Sequence, residues 1–176
     1  MDILPTLKPG FLVVVYASHA ARDEISHVAT ELALRGPVTV LDGGNRFQPY
    51  RIAQLLRRHT VDVSTAANRI FVRRAFTCYQ MLALLEDTPA RQHPYLVLDL
   101  LTTFYDEQVS LQEAHRLLEA CLSQLIRIGM NAPVAVTLGA PTLEERIFLV
   151  EKVCARADVV FMKDASVSQD TQLSLF

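Results

Sequence analysis

The residues best suited to chemistry fall where an apolar run gives way to a polar turn. Ser18, His19, Arg22 and Asp23 follow Phe11–Tyr16, Asp42-Gly43-Gly44 follows Val38–Leu41, and Asp99 follows Tyr95–Leu98. Carboxylates at such turns are the groups that hold a hydrated divalent cation or take a proton from an attacking water. A turn that grips phosphate needs more: glycines, so that backbone N–H groups close around the anion, and a lysine for its charge. The stretch Tyr16-Ala17-Ser18-His19-Ala20-Ala21-Arg22-Asp23-Glu24 has neither glycine nor lysine. Ser18 and His19 are adjacent, which is not the disposition of a nucleophile and its base. They either form an anion site at a helix N-terminus or cap that helix, and capping is the expectation.

These residues must be positioned by alternating strands and helices. The continuous Val-rich run Phe11–Tyr16 predicts a strand buried on both faces, and the stripe Ile25, Val28, Ala29 and Leu32 predicts a helix over about Asp23–Leu34, ended by Gly36-Pro37. Strands are expected at Val38–Leu41, Ile70–Val72, Tyr95–Asp99, Val134–Thr137 and Val159–Met162. Helices are expected at Pro49–Arg58, Thr77–Glu86, Ser110–Arg127 with Gly129 as its stop, and Glu144–Ala155. Such alternation implies an α/β fold, a three-layer α/β/α sandwich around a mostly parallel sheet. Residues 1–164 form the expected core domain and 165–176 a polar tail.

Composition narrows the classes. At 176 residues with 51% apolar and 20% charged residues the chain is long enough for one core without staples. Its apolar runs are too short to span a bilayer, and the start Met1-Asp2-Ile3-Leu4-Pro5 lacks the pattern of a secretion signal, so a cytoplasmic protein is expected. Cys78, Cys121 and Cys154 are widely spaced in apolar segments, as packing thiols would be. The five histidines show no metal-ligand spacing. Net charge is −2, yet residues 43–93 hold eight arginines against three acidic residues. Of these, Arg46, Arg51, Arg57, Arg58, Arg73 and Arg74 are candidates for a basic face. Solvated arginines that cap helices or pair elsewhere produce the same count, and no aromatic residues interleave with them as base-stacking surfaces require.

The segment Leu41-Asp42-Gly43-Gly44-Asn45-Arg46-Phe47-Gln48-Pro49-Tyr50-Arg51-Ile52 resembles the region of RadA-type and eukaryotic strand-exchange recombinases where a strand ends in Asp and a Phe, a Pro and an Arg open the next helix. In the same order, Arg74-Ala75-Phe76 resembles that family's Arg-Ala motif, Tyr95–Asp99 its Walker B strand, and Ala135-Val136-Thr137 its sensor strand. The resemblance spans about residues 11–163 and implies a RecA-like core. It also implies losses. The family's water-polarising acid corresponds to Gly44, its sensor residue to Gly139, and Asp99 stands at the Walker B position without a P-loop hydroxyl to share a magnesium ion. No catalytic residue, ATP, magnesium or other metal is therefore expected, and Asp99 is expected to cap a neighbouring turn. The two DNA-binding loops of the family are reduced to about Thr102–Ser110 and Gly139–Thr142, with Asp106 and Glu107 in the first and no basic residue in either. DNA contact by that route lacks its phosphate ligands.

Gln172-Leu173-Ser174-Leu175-Phe176 matches the Gln-Leu-x-Leu-Phe peptide through which bacterial replication and repair proteins dock to the sliding clamp. Two apolar anchors and an orienting amide suffice for such a contact; the alternative is a segment folded back on the core. Together these features imply a non-catalytic RecA/RadA-like adaptor in bacterial DNA repair, recombination or damage-tolerant synthesis. Its partners would be the sliding clamp and another repair or RecA-like protein. A divergent nucleotide-binding ATPase using Asp42 and Asp99, and a structural subunit of a recombinase-like complex, are the alternatives.

Overall fold

The computed structural model describes residues 3–17 and 21–163. Six apolar runs become the strands β1 (Leu12–Ala17), β2 (Val38–Asp42), β3 (Ile70–Arg74), β4 (Tyr95–Leu98), β5 (Val134–Leu138) and β6 (Val159–Lys163). They form one sheet in the order β3-β2-β4-β5-β1-β6, with every pairing parallel. The helices are α1 (Arg22–Arg35), α2 (Pro49–Leu56), α3 (Val63–Ala67), α4 (Cys78–Glu86), α5 (Leu111–Gly129) and α6 (Ile147–Arg156). Among the described residues no helix is long and apolar enough to cross a membrane.

Side chains alternate across each strand, which divides the core into two layers. Val13, Val15, Val40, Leu96, Leu98 and Ala135 pack under α1, α2 and α3. Leu12, Val14, Leu41, Val97, Val136 and Leu138 pack under α4, α5 and α6. The product is the expected three-layer sandwich. The inner strands β4 and β5 are buried at every residue, which explains their unbroken apolar sequence. β3 and β6, at the sheet edges, keep three exposed residues each. Ala114, Leu117, Leu118, Cys121, Leu122, Leu125 and Ile128 give α5 a continuous apolar stripe, and Ser110 caps its start by accepting the Glu113 N–H at 3.2 Å.

Three details depart from the sequence expectation. Gly129 is the last residue of α5, not its stop: the cap is Met130 and the Gly129 carbonyl accepts the Gly10 N–H at 2.7 Å. α3 forms between two expected elements, capped by Asp62 through the Thr65 N–H at 3.1 Å. Residues Leu100–Phe104, expected in part as loop, form a buried 3₁₀ turn.

The connections carry functional weight. β1 and β2 lead into helices on one face, whereas β3, β4 and β5 lead into helices on the other. Adjacent strands whose connections leave on opposite faces open a crevice at their carboxyl ends, the usual ligand position in such sheets. Three neighbouring pairs meet this condition: β3 and β2, β2 and β4, and β5 and β1.

Candidate functional site

Asp42 ends β2 and Asp99 follows β4, so the parallel pairing of these strands brings the two acids to one crevice. Asp42 has no solvent exposure and is held by three donors. Its Oδ1 accepts the Arg46 N–H at 2.8 Å; its Oδ2 accepts the Phe47 N–H at 3.0 Å and the Arg74 Nε at 3.3 Å. The carboxylate therefore folds residues 43–47 into a turn at the carboxyl end of β2, with Asn45 in the left-handed region at φ 52°.

That turn aims Arg46 at Asp99. The Arg46 Nε lies 3.1 Å from Asp99 Oδ2, while Asp99 Oδ1 accepts the Gly139 N–H at 3.2 Å. The Asp99 side chain is 3% exposed, and charge-assisted bonds to a buried carboxylate are among the stronger ones in proteins. Its backbone is also left-handed, at φ 50°, and its N–H donates to Thr137 Oγ1 at 2.8 Å. Asp99 thus ties β4 to the segment after β5 and to the turn after β2; it makes no side-chain cap bond to the 3₁₀ turn Leu100–Phe104 that follows it.

Gly44 lies against this carboxylate. A Cβ there would stand 2.6 Å from Asp99 Oδ2, 2.8 Å from Asp99 Cβ and 3.0 Å from Arg46 Cγ. A carboxylate at position 44 is therefore excluded by packing unless Asp99 moves. Gly43 is also confined, with Met81 Cε at 2.6 Å from its would-be Cβ.

This donor set does not suit a hydrated magnesium ion. One Asp99 oxygen faces a guanidinium and the other a backbone N–H, whereas magnesium asks for near-octahedral oxygen ligands. Among the described residues no three His, Cys, Asp or Glu side chains gather in a metal-binding group. Ser18 and His19 lie outside the described residues; the N-cap of α1 is Ala21, left-handed at φ 47° and without a side-chain cap bond.

The segments that follow β4 and β5 are fastened to each other. Arg146, 2% exposed, donates from Nη1 to the Phe104 carbonyl at 2.6 Å and from Nη2 to the Val109 carbonyl at 2.7 Å. Tyr105 donates its hydroxyl to the Gly139 carbonyl at 2.8 Å. Burial first, and then the nearby Asp99 charge, push the Tyr105 phenol well above its ordinary range, so it remains a donor. Three bonds across the gap thus hold residues 104–109 against 139–146.

The six candidate basic-face arginines do not share one face. Arg46 and Arg74 are committed to the buried carboxylates. Arg51 pairs with Asp23 at 3.6 Å, and Arg73 with Asp87 at 3.8 Å. Arg73 and Arg74 leave β3 on opposite sides, as successive strand residues must. Arg57 and Arg58 are exposed just beyond α2. The candidate docking residues Gln172, Leu173, Ser174, Leu175 and Phe176 lie outside the described residues.

Sequence reasoning missed the Arg46–Asp99 pair, the Thr137 acceptor and the Arg146 staple. Thr137 left a trace, as a hydroxyl in an otherwise apolar strand; the other two depend on where distant turns come to rest. No protein-family model matches the chain.

Proposed function

We propose that the chain is a non-catalytic, RecA/RadA-like adaptor that serves bacterial DNA repair, recombination or damage-tolerant synthesis and docks to the sliding clamp through Gln172–Phe176. The observation that carries the non-catalytic part is the occupation of Asp99 by Arg46 and the Gly139 N–H, with Gly44 closed against it. A cation bound at Asp99 would have to displace this guanidinium. The bonded loops at 104–109 and 139–146 support the same reading, since loops held to each other through Arg146 and Tyr105 do not wrap a strand of DNA. The docking part rests on the match of residues 172–176 to a clamp-binding peptide. Another repair or RecA-like protein would meet the core, for which the edge strands β3 and β6 are available surfaces.

Capture of purified sliding clamp on the immobilised chain tests the docking part. The full chain retains the clamp and a chain lacking 172–176 loses it; equal retention by both, or none by the full chain, removes the adaptor reading.

A further inference from the structure

Thr39, Phe71 and Tyr95 stand in one row across β2, β3 and β4, towards the amino ends of the strands and away from Asp42 and Asp99. Tyr95 belongs to the core layer under α4 and α5, so the row faces that layer. α4 ends at Glu86, and a groove of about 200 Å³ runs over the row. Phe71, on the edge strand, is left 54% exposed in it.

The rim of this groove is cationic. Arg73, Arg91 and His93 line it and no acidic residue does. Arg73 reaches Asp87 at 3.8 Å, an exposed pair of the kind that contributes little and exchanges readily. Arg91 has no ion-pair partner among the described residues. Its backbone is nevertheless fixed: the Tyr95 hydroxyl accepts the Arg91 N–H at 3.0 Å and donates to the Pro89 carbonyl. His93 is held as well, with Nε2 at 2.8 Å from Thr39 Oγ1 and its ring stacked on Tyr95 at a centroid distance of 5.0 Å. Burial first, and then the Arg91 charge, lower the His93 pKa, so the ring stays neutral beside an uncompensated guanidinium.

We infer that this groove docks an extended acidic segment of a protein partner, a carboxylate meeting Arg91 and Arg73 while a neighbouring apolar side chain covers Phe71. The charge of the groove selects the occupant. Guanidinium groups match carboxylates in geometry as well as in sign, and a basic segment would be repelled. A nucleic-acid strand needs a run of phosphate ligands, whereas Arg73 and Arg91 are the only arginine or lysine residues lining the groove. The inference rests on the adaptor reading, in which a protein meets the core, and names the chemistry of that partner.

The test adds an end-blocked acidic peptide, Gly-Asp-Leu-Asp-Gly, to the ¹⁵N-labelled full-length chain and follows the amide signals by NMR. Shifts gathered at Phe71, Arg73, Arg91 and His93 are expected, with a dissociation constant on the order of 1 mM. Arg91→Gln should weaken binding about threefold to fivefold, and Arg73→Gln takes its place should that variant lose its fold by circular dichroism. His93 gives an independent readout: a bound carboxylate favours the imidazolium, so the titration midpoint of its ring proton should rise when the peptide is added. No shifts at roughly ten times the expected dissociation constant, equal binding by a folded arginine variant, or an unmoved His93 midpoint overturns the inference. Equal binding of Gly-Lys-Leu-Lys-Gly, or tighter binding of a thymidine oligonucleotide at the same amides, also overturns it. Clamp capture without peptide binding defeats only this inference; peptide binding without clamp capture supports the groove and defeats the clamp-docking reading.

Discussion

Gly44→Ala separates two accounts of that glycine. If position 44 is only the place where a catalytic acid is missing, a methyl group there is harmless. In this structure the new Cβ would lie 2.6 Å from Asp99 Oδ2 and 2.8 Å from Asp99 Cβ, closer than real Cβ atoms approach other atoms. Asp99 cannot yield freely, because Gly139 holds Oδ1 at 3.2 Å and Arg46 holds Oδ2 at 3.1 Å. Overpacking costs about 1–3 kcal/mol, and a hydrogen bond to a charged group contributes about 1.5–3 kcal/mol. With partial relaxation the expected loss is about 3 kcal/mol. Urea unfolding followed by circular dichroism should show a lower midpoint at unchanged slope, and the melting temperature should fall by roughly 6–12 °C for a chain of this size. Gly36→Ala is the internal control: its φ of 172° is ordinary extended backbone, and no heavy atom lies within 4 Å of the added Cβ. That variant should be neutral or gain up to about 1 kcal/mol through the unfolded state. Equal stability of the two variants would refute the picture of a filled crevice.

Arg146→Met leaves the Phe104 and Val109 carbonyls without their donors and should destabilise by about 3 kcal/mol, with faster amide hydrogen exchange over residues 104–109; unchanged exchange contradicts the staple. Arg46→Ala strands a carboxylate that is 3% exposed, and because the arginine itself is 35% exposed the expected loss is about 2 kcal/mol, below the range for a fully buried pair. A neutral Arg46→Ala in denaturant titrations counts against the pairing. Burial pushes the Cys121 thiol up to about 12 and raises that of Cys78, whereas Cys154 is partly exposed. Alkylation of the native chain at pH 8, mapped by mass spectrometry, should mark Cys154 long before Cys121, and early labelling of Cys121 would contradict the packing.

Much of the fold was legible because its signals are local. The Val-rich runs of β1 and β5 and the stripe from Ala114 to Ile128 in α5 each declare their period within a few residues. α3 was not legible: Val63-Ser64-Thr65 favours extended chain, and its helix is held by the Asp62 cap and by packing of Ala66. The turn Leu100–Phe104 was hidden for a related reason, since its left-handed Asp99 start belongs to a conformation that non-glycine sequence does not announce. At the site, Asp42, Gly44 and Asp99 were identifiable as single positions. Their assembly was not, because Arg46 and Asp99 are 53 residues apart and meet only when β2 lies beside β4. That the candidate basic-face arginines pair elsewhere was a reading the sequence offered, but a count of arginines is silent about which carboxylates they will reach.

The crevice holding Asp99 is filled by the protein's own side chains, and the proposed adaptor role requires that it take no nucleotide. Isothermal titration of ATP with excess magnesium into the full-length chain measures this directly. No binding heat up to millimolar nucleotide is the predicted result, and saturable micromolar binding would contradict it.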